Sequence, residues 1–256
     1  MFGKPGAGKG TLSARLTRKY DILSLSTGDM LRQHITERTE VGKQAEEIVA
    51  AGGFLPDDVM LQVVTSKLAA IEDRHWILDG FPRTLGQGTM LDKHLESQGL
   101  PLSLVVNLDV ADSVILQRIS DRWVHLPSGR VYNLSYNRPK IDGMDDETGE
   151  PLTRRPDDNP EIFSRRLTKF YEATTPLLAY YRNAARTSLA TLSGSTSDEI
   201  WPELEETVKR MFPTLKERPE WVASQKRNSL SEATLFANTS MSSGTPATTV
   251  VPPARS

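Results

Sequence analysis

"GKPGAGKGT", residues Gly3–Thr11, decides how the rest of the chain is read. It follows the pattern G-x-x-x-x-G-K-[ST] at Gly3, Gly8 and Lys9, a loop whose backbone N–H groups wrap a polyphosphate. Glycine tolerates positive φ and leaves no Cβ to block a phosphate oxygen, so successive amides can point inward as an anion nest. "TLSARLTRKY" follows and reads as a helix with Leu12 and Leu16 on one face; its N-terminus adds a positive dipole end beneath the phosphates. Lys9 is placed to reach the β and γ oxygens. The departure is Gly10, which stands where a magnesium-binding hydroxyl belongs, with Thr11 one residue later. A metal is therefore expected to be held through water. A glycine-rich turn before an ordinary helix would account for the glycines alone, but not for the lysine and helix that follow.

At 256 residues the chain suits one or two domains, and 38% hydrophobic content supports a sizeable core. A net charge of −2 gives no global attraction to nucleic acid or anionic membrane, and no apolar run reaches transmembrane length. Neither nucleic acid nor membrane is expected as a partner. The absence of cysteine excludes disulfides and thiolate metal sites. No targeting segment is visible, and only Met1 and Phe2 precede Gly3, where a buried strand of about five residues is usual. The first strand is therefore expected to be truncated.

Short apolar runs at Ile22–Ser26, Trp76–Asp79, Leu104–Asp109 and Ser188–Leu192 read as strands buried on both faces. Helical patterns alternate with them over Asp29–Thr36, Val41–Ala51, Asp57–Ile71, Leu85–Gln98 and Ala111–Asp121. That alternation predicts an α/β fold: a parallel sheet of about five strands, the first truncated, flanked by helices. Ligands then gather at the C-terminal ends of the strands. Val124–Asp158, rich in Gly, Pro, Asn and Asp, breaks the pattern and predicts a small β insertion. Pro160–Ala185 returns to helix with a break expected at Pro176, and Asp198–Phe212 forms a last amphipathic helix. From about Arg218 the chain is Ser/Thr/Ala/Pro-rich, and residues 219–256 are expected to be a disordered tail.

The strand ends carry the polar signatures. "STGDMLR" places Thr27, Gly28 and Arg32 at a helix start, and "DGFPRT" places Asp79 at a strand end with Arg83 four residues on. Asp79 stands where a metal-organising carboxylate of Walker-B type belongs. Arg118 and Arg122 lie four apart on one helix face; "RRPDD" adds Arg154 and Arg155, and "SRRL" adds Arg165 and Arg166. Guanidinium binds phosphate bidentately and stays charged, which suits a transition state that spreads negative charge over equatorial oxygens. Arg18, Arg154 and Arg165 read as solvated surface charges. An acceptor that is itself a phosphate, with a second pKa near 6, needs no general base. His34, His75, His94 and His125 share no metal-ligand spacing.

Taken together, "GKPGAGKGT", "STGDMLR", "LDGFPRT" and "RWVHLPSGRVYN…DDETGEPLTRRPDD" resemble the adenylate kinase family of nucleoside monophosphate kinases, in the long-lid form, over Met1 to Phe212. "LSGSTSDEIWP" is similar to the mitochondrial GTP:AMP phosphotransferase branch. The resemblance implies a P-loop NTPase-type core over residues 1–212, with a helical AMP-binding segment at 27–59 and a lid at 123–159. It implies Mg²⁺-dependent, reversible transfer from GTP, or alternatively ATP, to AMP by a monomer. Gly6, Ala7, Gly8, Lys9, Gly10 and Thr11 would hold donor phosphates, with Arg118, Arg122 and Tyr132 on the donor side. Thr27, Arg32, Pro56, Gly80, Arg83 and Gln87 would bind AMP, joined by Arg155 and Arg166. Lys9, Arg83, Arg118, Arg122, Arg155 and Arg166 would carry catalysis. Asp79 would order water around magnesium, with no direct metal ligand. Asp157 and Asp158 match the lid hinge.

Some relatives carry four zinc ligands in the lid, where this chain has His125, Ser128, Asp145 and Thr148; those residue types favour a hydrogen-bonded cluster. The resemblance implies the mitochondrial matrix, while the absence of a visible targeting segment leaves the cytoplasm open. Two other classes stay in play: a nucleotide-binding scaffold on a decayed kinase fold, suggested by the truncated first strand, and a GTPase switch, which Gly10 and the paired arginines disfavour.

Overall fold

The computed structural model describes residues 1–51, 53–71, 74–155 and 158–224. Met1–Leu215 forms one compact unit and Lys216–Ser256 a second. In the first, the order is β1 (Phe2–Gly3), α1 (Lys9–Lys19), β2 (Ile22–Ser26), α2 (Thr27–Thr36), α3 (Glu40–Ala50), α4 (Asp57–Ala69), β3 (His75–Asp79), α5 (Leu85–Ser97), β4 (Leu104–Asp109), α6 (Asp112–Ser120), β5 (Arg122–His125), β6 (Arg130–Asn133), α7 (Pro160–Arg182), β7 (Ser188–Ser193) and α8 (Ser197–Met211).

The expected parallel α/β architecture is present, and its strands fall into two ladders. One orders β1-β4-β7, the other pairs β2 with β3. β2 and β3 run in register from Ile22 opposite His75 to Ser26 opposite Asp79, so both strands end at the same level. β1 is short enough that only Phe2 and Gly3 pair, with Asn107 and Leu108 of β4. Between the two ladders the Met1 nitrogen donates to the Leu78 carbonyl at 2.6 Å.

One apolar core gathers α1, β4, α6 and α8 around Leu12, Leu16, Leu108, Ile115 and Leu204; a second packs Met30, Ala45, Met60, Val64, Phe81 and Leu91 beneath α2–α5. α3 lies close on α2: a Cβ on Gly42 would stand 1.9 Å from the His34 carbonyl oxygen. Side chains start the helices that lead out of the cleft. Ser26 accepts from the Asp29 N–H, Thr84 from Gln87 and Asn159 from Glu161, each satisfying a donor the helix leaves unpaired.

The break expected at Pro176 does not occur. α7 runs from Pro160 to Arg182 straight through it. A proline costs the helix one N–H bond, but Leu177 and Tyr181 just beyond are fully buried, and that packing holds the next turn in place. The insertion is β as expected: β5 and β6 pair antiparallel from Arg122–Asn133 to His125–Arg130, and Thr153 bridges back to Val124. In the second unit, residues 219–224 are helical where the tail was expected to be disordered, and 225–256 lie outside the described residues.

Candidate active site

The loop after β1 turns through Gly6 and Gly8, at φ 80° and 97°, left-handed values that glycine adopts without a Cβ clash. Gly8 is the N-cap of α1 and Lys9 its first residue. The Lys9 ammonium donates to the carbonyls of Gly3 at 2.7 Å and Lys4 at 2.9 Å. Burial draws its pKa down to about 8; Asp79 opposes the shift, while Arg83, Arg166 and Arg122 add to it. Three guanidinium groups from three separate elements therefore act on one lysine. Asp79, at the end of β3, turns its carboxylate towards the start of α1, where a Cβ on Gly10 would stand 3.5 Å from it.

Two adjoining cavities open beside Lys9, and both are lined by Phe54, Gly80, Arg83 and Arg166. The first adds Thr27, Gly28, Arg32 and Gln87; the second adds Gly3, Pro5 and Lys9. Thr27 is buried, and its hydroxyl donates to the Asp79 carbonyl at 3.2 Å, tying the end of β2 to the end of β3. Arg83 donates from Nε to the Gly80 carbonyl at 2.6 Å, and its guanidinium lies 5.4 Å from the Phe54 ring centroid. Gly80 has φ 80°, and a Cβ there would stand 3.0 Å from both the Arg83 guanidinium and the Thr27 hydroxyl. Only glycine fits both the conformation and the space.

On the far side of the loop, Arg118 donates to the Gly6 carbonyl at 3.3 Å and the Ser195 carbonyl at 2.7 Å, and stacks 6.0 Å from the Tyr136 ring. Arg122, at the start of β5, pairs bidentately with Asp158, with Nε 2.8 Å from Oδ2. Arg32 pairs with Asp29. Burial would raise the Asp29 carboxyl, but Arg32, reinforced by Ser26 and Arg155, holds it below its usual range. The turn between β5 and β6 comes down beside the same helix start: a Cβ on Gly129 would stand 3.9 Å from the Asp29 carboxylate.

Two sequence-expected side chains, Tyr132 and Pro56, face elsewhere than the two cavities. Tyr132 is 4% exposed; its hydroxyl donates to Asp145 at 2.9 Å and accepts from the Asp146 N–H at 2.8 Å. Alternation along β6 turns it into the interior of the β insertion. Pro56 is itself exposed at the N-cap of α4, while the residues just before it, Gly53, Phe54 and Leu55, line the first cavity. Asp157 lies outside the described residues.

At the four lid positions, His125 is within hydrogen-bonding distance of Ser128 at 2.7 Å and Glu150 at 2.6 Å. Asp145 accepts from Arg130 and from the Thr148 hydroxyl at 2.9 Å. Sequence reasoning missed Phe54 and Ser195. The first was legible as a lone aromatic between glycines and a proline in "GGFLP"; the second acts through a backbone carbonyl, which no residue type announces.

Comparison with known proteins bears on this arrangement. The family model described as "Adenylate kinase" matches residues 1–186. A protein of Saccharomyces cerevisiae named "GTP:AMP phosphotransferase, mitochondrial" is 45% identical over 217 residues, covering 83% of this chain and 92% of the relative. A Drosophila melanogaster protein of the same name is 40% identical, covering 80% of this chain and 92% of its own length. The matched stretch contains Lys9, Asp79 and the arginines that surround the cleft, and the chain belongs to the adenylate kinase family.

Proposed function

We propose that the chain is a nucleoside monophosphate kinase that transfers the terminal phosphoryl group of a magnesium nucleoside triphosphate, GTP by preference, to AMP, giving a nucleoside diphosphate and ADP. The observation that carries the reading is the shared wall of the two cavities. Arg83 and Arg166 face both of them, with Lys9 on one side and Thr27, Arg32 and Gln87 on the other. Two anionic substrates can meet there nose to nose over one set of fixed cations. GTP is preferred to ATP because the similar proteins of yeast and fly are named for GTP.

Lys9 and the amides from Gly6 to Thr11 hold the donor phosphates, with Arg118 and Arg122 on the outer side. Arg32, Arg83 and Arg166 hold the acceptor phosphate, and Arg155 approaches from the lid. The acceptor oxygen is already largely deprotonated near neutral pH, so positioning and charge stabilisation do most of the work. Magnesium enters with the donor, and the Asp79 carboxylate beside Gly10 suits a hard, water-clad cation. The lid, 123–159, excludes water as it closes, since water would compete as acceptor.

We further propose that the protein is a monomer and, as the names of the similar proteins suggest, that it works inside the mitochondrion. Among the described residues no helix is long and apolar enough to cross a membrane. Initial rates with GTP and with ATP, each with and without AMP, test the activity. ADP formation that requires AMP and is faster with GTP is expected. Faster ADP formation with ATP would replace GTP:AMP by ATP:AMP transfer, equal rates would remove the GTP preference, and nucleotide hydrolysis without AMP would overturn the kinase reading. Light scattering and fractionation of tagged cells check the other two points.

A further inference from the structure

Asp57, the first residue of α4, has no place among the phosphate-binding groups above, yet it reaches the loop that carries Arg83. The Thr84 hydroxyl donates to it, with both carboxylate oxygens 3.0 Å away. Thr84 is the N-cap of α5, and the same hydroxyl oxygen accepts from the Gln87 N–H at 3.1 Å. Gln87 is 1% exposed, and its side-chain oxygen accepts from the Arg83 N–H at 2.8 Å. From the other side, the Thr174 hydroxyl donates to the Arg83 carbonyl at 3.2 Å. The backbone of Arg83 is thus held at both of its polar groups.

The seat of the Asp57 carboxylate is specific. A Cβ on Gly86 would stand 2.3 Å from Asp57 Oδ2, so only glycine there leaves the carboxylate room. An acidic residue in a first helical turn is favourable on dipole grounds alone, but Asp58 next door is equally placed for that and is exposed. The dipole does not account for Asp57 turning inward onto Thr84. Asp57 also follows Gly53, Phe54 and Leu55 with only Pro56 between, and those three wall the cavity that Arg83 and Gln87 line. It joins the two walls of one pocket.

We infer that Asp57 is a positioning residue for the acceptor nucleotide: through Thr84 it sets Arg83 and Gln87 against the wall formed by Phe54 and Leu55. This rests on the reading of that cavity as the AMP site. Removing the carboxylate leaves the Thr84 hydroxyl without its acceptor and lets the start of α5 drift, which separates the phosphate-holding arginine from the base-facing wall.

The test is steady-state kinetics on wild type, Asp57→Ala, Asp57→Asn, Thr84→Val, the Asp57→Ala/Thr84→Val double variant and Asp58→Ala. Affinity for methylanthraniloyl-GTP and Tm are measured in parallel. Asp57→Ala and Thr84→Val should each raise the KM for AMP about ten-fold, the loss of one charge-assisted hydrogen bond, with donor affinity unchanged. Asp57→Asn keeps an oxygen that can accept from Thr84 and should restore most of the loss. The double variant should be no worse than the worse single, because both act through one contact. Asp58→Ala should behave as wild type.

An Asp57→Ala variant with lowered Tm but unchanged KM for AMP would overturn the inference, as would additive single effects. If Asp57→Ala fails to fold, Asp57→Asn against Thr84→Val decides by the same readout. A wild type that makes no ADP from AMP overturns the acceptor reading and this inference with it; one that does, beside an unaltered Asp57→Ala, overturns the inference alone.

Discussion

The Lys9 ammonium lies 2.7 Å from the carbonyl oxygen of Gly3, inside its own loop. The loop that offers amides to phosphate thus also supplies the carbonyls that hold the lysine, so the cation is kept at the site by its own backbone. Burial lowers its pKa to about 8. A folded chain therefore binds fewer protons than an unfolded one between about 8 and the ordinary 10.5, and the stability cost of burying this charge fades as pH rises through that window.

Donor binding should show the opposite trend. Phosphate favours the charged lysine, so affinity for GTP should hold between pH 6.5 and 7.5 and fall above pH 8, by roughly ten-fold at pH 9. Calorimetry in buffers of different ionisation enthalpy should detect proton uptake on binding at pH 9. Affinity that stays flat from pH 7 to 9 would rule out this account of Lys9.

Replacing Arg83 by Ala should raise the KM for AMP and lower turnover, each by about ten-fold or more, as expected for a fixed cation acting on a phosphate. Its guanidinium lies against Phe54 at the cavity surface, so Tm should move by only a few degrees. Kinetics indistinguishable from wild type would remove Arg83 from the site.

Asp145 organises the β insertion. Its side chain is fully buried and accepts from Arg130, Tyr132 and Thr148; Arg130 foremost holds the carboxyl well below its usual range. The stabilisation this gives is complete above the unfolded value of 3.8 and is lost only as pH falls through the lower folded one. Asp145 therefore adds no change in amide protection over 122–153 between pH 7 and 5, once corrected for intrinsic exchange. Asp145→Ala should lower it about ten-fold or more, with the core spared.

Gly42→Ala tests the packing of the acceptor arm. The new methyl would meet the backbone carbonyl of His34 at 1.9 Å, and a backbone atom cannot swing aside as a side chain can. We expect a loss of about 1–3 kcal/mol in denaturant unfolding, accompanied by a raised KM for AMP. A neutral substitution would mean that α3 is free to slide on α2.

The sequence made much of this visible for identifiable reasons. Buried parallel strands read as near-continuous apolar runs, and Ile22–Ser26 and Leu104–Asp109 match the limits of β2 and β4. Gly3, Gly8 and Lys9 carry a geometric requirement that few other loops share. Three features were hidden. Pro176 stays helical because Leu177 and Tyr181 bury the next turn, and local propensity carries no trace of that distant packing. Tyr132 turns inward because its place in the β6 alternation is fixed by pairing with Trp123 of β5. The separation of the sheet into two ladders reflects a count of paired residues in β1, which an apolar pattern does not give.

The uninterrupted course of α7 has one more effect. Arg166 and the anchor pair Leu177 and Tyr181 belong to a single helix of 23 residues, so their angular phase is locked together. Deleting or inserting one residue between Arg166 and Leu177 would rotate the arginine by about 100° relative to the anchors, swinging it away from the cleft while every other feature of the helix survived. Natural length variation should therefore be absent from that interval even where its exposed residues drift freely.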